Sequence, residues 1–354
     1  MSEKCAANLA EHQPLASPAL PNLVRTWSLA PRQPDSVFRR AVQLLQRLRV
    51  SHCSWMIVCF LLGYKGYGRM TQWCSQLLRA WGRLMTGCWL GVLDRKTLQR
   101  IDQFYYEERS MYADPDYNRS GLMDWEQQAV QTHFQKCKRL LLIGAGGGRE
   151  VLALHRLGYE VDAYECHPKL LAAAQRLCQE EGTVATVRFA PRDQAIASNV
   201  TYDGAVIGWG AYTLIQGRAR RTALLSAVRQ QLADDAPLLV SFFMRSENDR
   251  SYRFITRTAN TIRQMLRRPD CIELGDDLVY NFVHCFLSAE VESELREGGL
   301  QPVEIISQGA SGYAVGRVMA EHGVARQLQA NMANRHTSFV DNTTELTGAK
   351  SVVT

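Results

Sequence analysis

Residues 139–165 read RLLLIGAGGGREVLALHRLGYEVDAYE, with four glycines in five positions (Gly144, Gly146, Gly147 and Gly148) between an apolar run and an amphipathic one. Ordering glycine costs more backbone entropy than ordering any other residue, so a cluster of this density marks a place where the backbone must stay bare. The run before it reads as a buried strand and the stretch after it as a helix. A second strand then closes on Glu165.

Downstream the same alternation continues. Helix PKLLAAAQRLCQEEG precedes strands ATVRFA and YDGAVIG, then helix GRARRTALLSAVRQQL and strand APLLVSFF. After a long helical stretch (SYRFITRTANTIRQMLRR) and an irregular segment come helix SAEVESELREGG and strands QPVEIIS and YAVGRV. Short, continuously apolar strands alternating with helices predict a doubly wound α/β domain around a mostly parallel sheet. Right-handed crossovers put the carboxyl ends of the strands, and the ligand crevice, on one edge.

Upstream the character changes. Residues 1–100 carry 14 Lys and Arg against 4 Asp and Glu, and five of the seven tryptophans (Trp27, Trp55, Trp73, Trp81 and Trp89). Residues 1–35 hold five of the eleven prolines and read as an arm. Residues 36–119 read as a helical domain, from Phe38, Ala41, Leu45 and Leu48 and again from Leu77, Leu78, Trp81, Leu84 and Met85. Tryptophans are expected to fill the core of that domain, and CSWMIVCFLLG (53–63) to form a buried helix, being too short to span a bilayer. Residues 120–320 form the α/β domain, and 321–354 a polar, aperiodic tail. The ten cysteines include no CxxC pair, and the N-terminus shows no basic segment followed by an apolar core. Reduced thiols and a cytoplasmic location are therefore expected.

The glycine turn reads G-x-G-x-G, and Arg149 occupies the place where a dinucleotide fingerprint needs Gly or Ala. Glu165, 21 residues after Gly144, stands where a carboxylate can accept both hydroxyls of a ribose. In these features residues 120–320 resemble the class I S-adenosylmethionine-dependent methyltransferases. The likeness also rests on APRD after the third strand, YDGAVIGWG around the fourth, and the late strand pair as a C-terminal hairpin. It implies a seven-stranded sheet with an antiparallel last strand and S-adenosylmethionine as cofactor. Gly144, Ala145, Gly146, Gly148 and Glu165 would hold that cofactor, with Asp193 near the adenine and Gly208 and Trp209 beside the methionine portion. Many members carry an acid two residues before the first glycine, where this chain has Leu142. That contact would have to come from Glu126 or the Gly208 carbonyl.

For the acceptor side, ELGDDLVYNFVHCF (273–286) supplies Asp276, Asp277, Tyr280, Asn281 and His284, with His284 as the candidate base. Trp209 and Tyr212 follow the fourth strand and are expected to face the transferred methyl. Residues 104–126, loop-like and bearing Tyr105, Tyr106, Tyr112 and Tyr117, read either as a cover over the cofactor or as a hinge. No Asn/Asp-Pro-Pro-Tyr/Phe motif, Pro-Cys dipeptide or Asp/His cluster for a magnesium site is legible. The expectation is methylation of an oxygen or nitrogen on a small molecule or peptide. The alternative is a basic helical region that docks on anionic membrane or RNA, with the α/β domain as scaffold.

Overall fold

Strand β1 (Arg139–Ile143) buries Leu140 and Leu142 on one side and Leu141 on the other, as a two-residue period requires. That division organises the domain. The computed structural model describes residues 52–109, 111–192, 194, 200–247 and 250–319. The predicted arm, the periodic run Phe38–Leu48, the polar tail from 321 and Asp193 lie outside the described residues.

Parallel strands β2 (Glu160–Glu165), β3 (Thr186–Phe189), β4 (Gly204–Ile207) and β5 (Pro237–Met244) flank β1 in the order β3-β2-β1-β4-β5. β8 (Leu300–Gln308) and β9 (Ser311–Val318) complete the sheet, with β9 antiparallel to both β5 and β8. The strand order reverses between β1 and β4, which opens the crevice at their carboxyl ends.

Leu140, Leu142, Val206, Leu239 and Val315 pack under three helices: α4 (Asp124–His133), α5 (Arg149–Arg156) and α6 (Pro168–Glu180). On the other face Leu141, Ala205, Ile207, Leu238 and Val240 meet α7 (Arg218–Arg229) and α9 (Ser288–Glu297). Burial on both faces explains why these strands read as unbroken apolar runs.

Two features go beyond the sequence reading. To the predicted seven strands, β1–β5 with β8 and β9, the segment read as irregular adds a hairpin, β6 (Asp276–Leu278) and β7 (Phe282–Phe286). β5 outruns β4 by four residues, and β7 takes the edge so left, pairing Cys285 with Phe243 and Phe286 with Met244. The hairpin therefore sits at the carboxyl end of β4. Second, residues 93–119, grouped above with the helical domain, pack with the sheet. The chain divides into one compact unit of residues up to Val92 with Arg250–Cys271, and another of Leu93–Asp249 with residues from Ile272 onward. Helices α2 (Arg95–Glu108) and α3 (Pro115–Arg119) are thus part of the sheet unit.

The first unit contains α1 (His52–Val92), 41 residues long, and α8 (Arg250–Met265). They approach closely where α1 has no side chain: a Cβ at Gly91 would lie 2.7 Å from Cβ of Ile262, and one at Gly87 2.8 Å from Cβ of Thr258. Arg263 donates through Nε and Nη2 to the Leu90 carbonyl at 3.0 and 2.9 Å, satisfying an oxygen that the helix end leaves without a partner. Met56 and Phe60, read as part of a buried helix, are 74% and 69% exposed, and Trp73, Trp81 and Trp89 stand in solvent rather than in a core. Helical periodicity locates an apolar face; it does not supply the element that covers it.

In the sheet unit Phe134, fully buried, closes α4 against β1 and β4, its ring pressed on Gly204 where a Cβ would come within 2.9 Å. Phe134→Ala is expected to cost roughly 3–5 kcal/mol, the transfer and cavity terms together. Guanidinium unfolding followed by circular dichroism measures this.

Candidate functional site

Glu165 ends β2 with its carboxylate buried and held by three backbone N–H groups. Oε2 accepts the Gly146 N–H at 2.7 Å, and Oε1 accepts the N–H groups of Cys166 and His167, both at 2.8 Å. Burial pushes this carboxyl above the usual range, while the His167 and Gly146 amides hold it down. The predicted acid and the predicted glycine turn are thereby joined at the carboxyl ends of adjacent strands.

The glycines divide by what a side chain would meet. At Gly144 a Cβ would lie 2.6 Å from Cβ of Ala211, and at Gly208 2.3 Å from the Gly144 carbonyl oxygen. Gly147 is more constrained, with the Tyr112 carbonyl oxygen 2.0 Å from that position. Gly146 alone among the four of the turn has open space there, and its φ of +56° is one that glycine adopts freely. Three positions are bare so that protein can pack; at Gly146 the space beside the backbone is open. Ala145 is fully buried and its N–H, like that of Gly144, donates to the Tyr164 carbonyl.

Residues 104–126, read as loop-like, are mostly helical: the end of α2, a 3-10 turn (Met111–Ala113), α3 and the start of α4. Asn118 holds the Tyr112 carbonyl at 3.1 Å, seating it on Gly147. Tyr106 contacts both Tyr112 and His167, with ring centroids 5.4 and 6.0 Å apart. His167 caps α6 through Nδ1, so its Nε2–H donates to the Gln103 carbonyl of α2 at 3.1 Å. Asp102, buried in α2, pairs with Arg192 after β3 and accepts from Asn281 of the β6–β7 turn. The segment lies on the glycine turn and is tied to three loops at the carboxyl edge.

Asp102, Arg192 and the Arg149 network escaped the sequence reading. Arg149 is buried in a two-point pair with Glu126, at 2.6 and 2.7 Å, and also bonds Glu150 at 2.8 Å. Glu126, suggested above as a cofactor contact, is committed to Arg149 and to the Met123 N–H. Glu150 instead reaches the β4 end, accepting the Trp209 N–H at 3.1 Å. The signal was present as Arg-Glu directly after the glycines, but charged residues in a first helical turn ordinarily face water.

Trp209 is half-buried among Trp125 and Phe243 at 5.5 and 5.8 Å. Tyr212, expected beside it at the acceptor, is buried elsewhere: its hydroxyl donates to Glu294 at 2.5 Å and its ring stacks on Phe286. The 3-10 turn Ala211–Leu214 rotates it away from the edge into the core under α9. Its phenol is raised well above the ordinary value by burial and by Glu294.

His284, on β7, is buried with Nδ1 2.7 Å from Asp276. Glu273, Asp276 and His284 gather donor atoms within 4.8 Å, an Asp/His cluster that the sequence reading did not find because hairpin pairing creates it. Its oxygens are already used. Glu273 accepts from the Arg218 N–H at 2.7 Å and from the Arg221 guanidinium at 2.9 Å, and Asp276 accepts from the Glu273 N–H at 2.8 Å. Arg221 supplies the positive charge that a metal ion would.

Glu165 generates a pH prediction. A carboxyl raised in the folded state favours protonation there, so its contribution to stability is largest below its unfolded pKa of about 4.3 and falls as pH rises through the folded value. The stability of wild type relative to Glu165→Gln should therefore decline from acid pH toward neutrality and then level off. A difference flat with pH, by urea unfolding at each pH, would show the carboxyl unperturbed.

No family model matches the chain, and no curated protein matches it in sequence. Solved structures do at low identity. A methyltransferase from Methanosarcina mazei, described as S-adenosylmethionine-dependent, is 17% identical, covers 57% of this chain and 100% of its own, and has a TM-score of 0.45. The CcbJ methyltransferase of Streptomyces caelestis is 13% identical over 61% of this chain and 96% of its own, with a TM-score of 0.45. The PH0226 protein of Pyrococcus horikoshii is 13% identical over 61% and 98%, with a TM-score of 0.44. The described residues form a helical unit and a Rossmann-like α/β unit.

Proposed function

We propose that the chain is an S-adenosylmethionine-dependent methyltransferase acting on an oxygen or nitrogen of a small molecule or peptide. The observation that carries this reading is the pairing of Gly146, with open space beside its backbone, and the buried Glu165 carboxylate on the neighbouring strand. A small open backbone position beside an acid at a strand end suits a nucleoside ribose. The antiparallel β9 inserted between β5 and β8 supports it over a nicotinamide-binding reading, as does Arg149 in place of the third fingerprint residue.

In this reading Glu165 receives the ribose hydroxyls, Gly144, Ala145 and Gly146 give the backbone approach, and Gly208 and Trp209 flank the methionine portion. Asp193 is proposed at the adenine from its place in APRD. When bound, S-adenosylmethionine supplies a sulfonium methyl already activated for transfer. What remains for the protein is alignment and exclusion of water, and positioning of this kind can lower a barrier by roughly 7–11 kcal/mol. The α2–α3 cover and the aromatic group around Trp209 serve that purpose. His284 is proposed as the base for a hydroxyl or ammonium acceptor, its ring oriented by Asp276. Tyr212 has no part in the chemistry: its hydroxyl is spent on Glu294.

Isothermal titration with S-adenosylmethionine and S-adenosylhomocysteine should show micromolar binding, and absence of both would overturn the reading. Gly146→Ala should weaken binding at least tenfold. Gly158→Ala, equally left-handed in φ at +94° but at the amino end of β2, should lose similar stability and bind normally. Glu165→Ala should weaken binding by roughly 1–3 kcal/mol, the worth of charge-assisted hydrogen bonds. Once an acceptor is found by labelling cell extracts, His284→Gln should keep cofactor affinity within a few-fold and lose turnover. Unchanged labelling would make His284 structural.

A further inference from the structure

Helix α1 carries an apolar face that nothing among the described residues covers. Phe60, Tyr67, Met70, Trp73, Leu77 and Trp81 are 58 to 70% exposed. At the helical advance per residue these six fall within an arc of about 140°. The four cations of the helix, Lys65, Arg69, Arg79 and Arg83, fall in an arc of about 80° centred opposite. The helix contains no Asp or Glu. α8 meets α1 near its C-terminal end, at Gly87, Leu90 and Gly91, beyond Trp81, and these six side chains stay exposed.

Folding adds to the charge. α8 and the residues after it bring six arginines to the unit, so residues 52–92 and 250–271 together hold ten Lys and Arg against one acid, Asp270. An aromatic and aliphatic face longer than a soluble monomer ordinarily exposes, on a unit of one sign, narrows the partner to a surface both apolar and anionic. A lipid interface has both properties, and tryptophan and tyrosine settle at it. No described helix is long and apolar enough to cross a membrane. At about 60 Å, α1 is twice the hydrocarbon thickness, a length suited to lying in the interface plane.

We infer that α1 is a membrane-surface helix that docks the protein on anionic lipid, with its apolar face in the headgroup region. RNA would engage the basic side and leave the apolar face unused; a second copy would have to pair two faces whose unit charges repel. Docking is independent of the cofactor reading, and either can fail alone.

The test is sedimentation of the full-length protein with vesicles of phosphatidylcholine alone or with roughly one-third phosphatidylserine, at two salt concentrations. Partition should be at least tenfold stronger on the anionic vesicles, fall with salt, and shift tryptophan emission to the blue. Leu77→Glu with Trp81→Glu should weaken partition by roughly tenfold or more while circular dichroism and cofactor binding stay unchanged. Absence of binding to anionic vesicles overturns the proposal, and so does equal partition by the double variant. A dimer by light scattering that the double variant dissociates would assign the face to self-association instead. RNA binding that survives the double variant, with no vesicle binding, would assign the unit to nucleic acid. If the double variant does not fold, the lipid and salt dependence of wild type decides.

Discussion

Three backbone N–H groups converge on one buried carboxylate, that of Glu165, and the shape of the crevice depends on that convergence. A carboxylate taken out of water must find donors, and amide groups at fixed positions satisfy it only if the loops carrying them hold still. The turn after β1 is bound to the end of β2, and the turn after β2 is bound to itself. His167, in that second turn, caps α6 with one ring nitrogen and reaches α2 with the other. One acid thus sets the register between the sheet edge and the segment above it.

The segment on the glycine turn is held by polar contacts as well as by packing. Asp102, Arg192 and Asn281 come from α2, the loop after β3 and the β6–β7 turn, with Asp102 and Asn281 buried and Arg192 partly so. Loss of one partner of a buried ion pair costs more than the pair contributes, because the survivor keeps its desolvation penalty. The same logic governs Arg149 between Glu126 and Glu150, and Arg221 between Glu273 and Glu294. Each guanidinium joins elements distant in sequence. The crevice therefore has a scaffold whose guanidinium and carboxylate groups are paired with one another.

The two compact units solve different problems. The sheet unit hides its apolar surface between layers and exposes mixed charge. The helical unit leaves a long apolar face open and carries nearly all its charge in one sign. Such a face is costly in water, and its persistence beside a uniform charge is what points to a lipid surface.

How much of this was legible in the sequence follows from range of interaction. The strand and helix alternation, the glycine turn and its distance to Glu165 are local patterns, set by backbone sterics and by a period of two or 3.6 residues. They could be read directly. The β6–β7 hairpin could not, because it forms on an edge that exists only where β5 outruns β4. Tyr212 shows the same limit: its distance from Gly208 in sequence is short, but a single 3-10 turn sends its hydroxyl to Glu294 on a helix 82 residues away. By itself the sequence determined the layered sheet and the edge at which a ligand would sit, since those follow from local conformation and handed connections. Only the tertiary structure decided which glycine keeps open space beside it, which charges are spent on one another and which apolar face stays uncovered, because each depends on what the rest of the chain brings within a few ångströms.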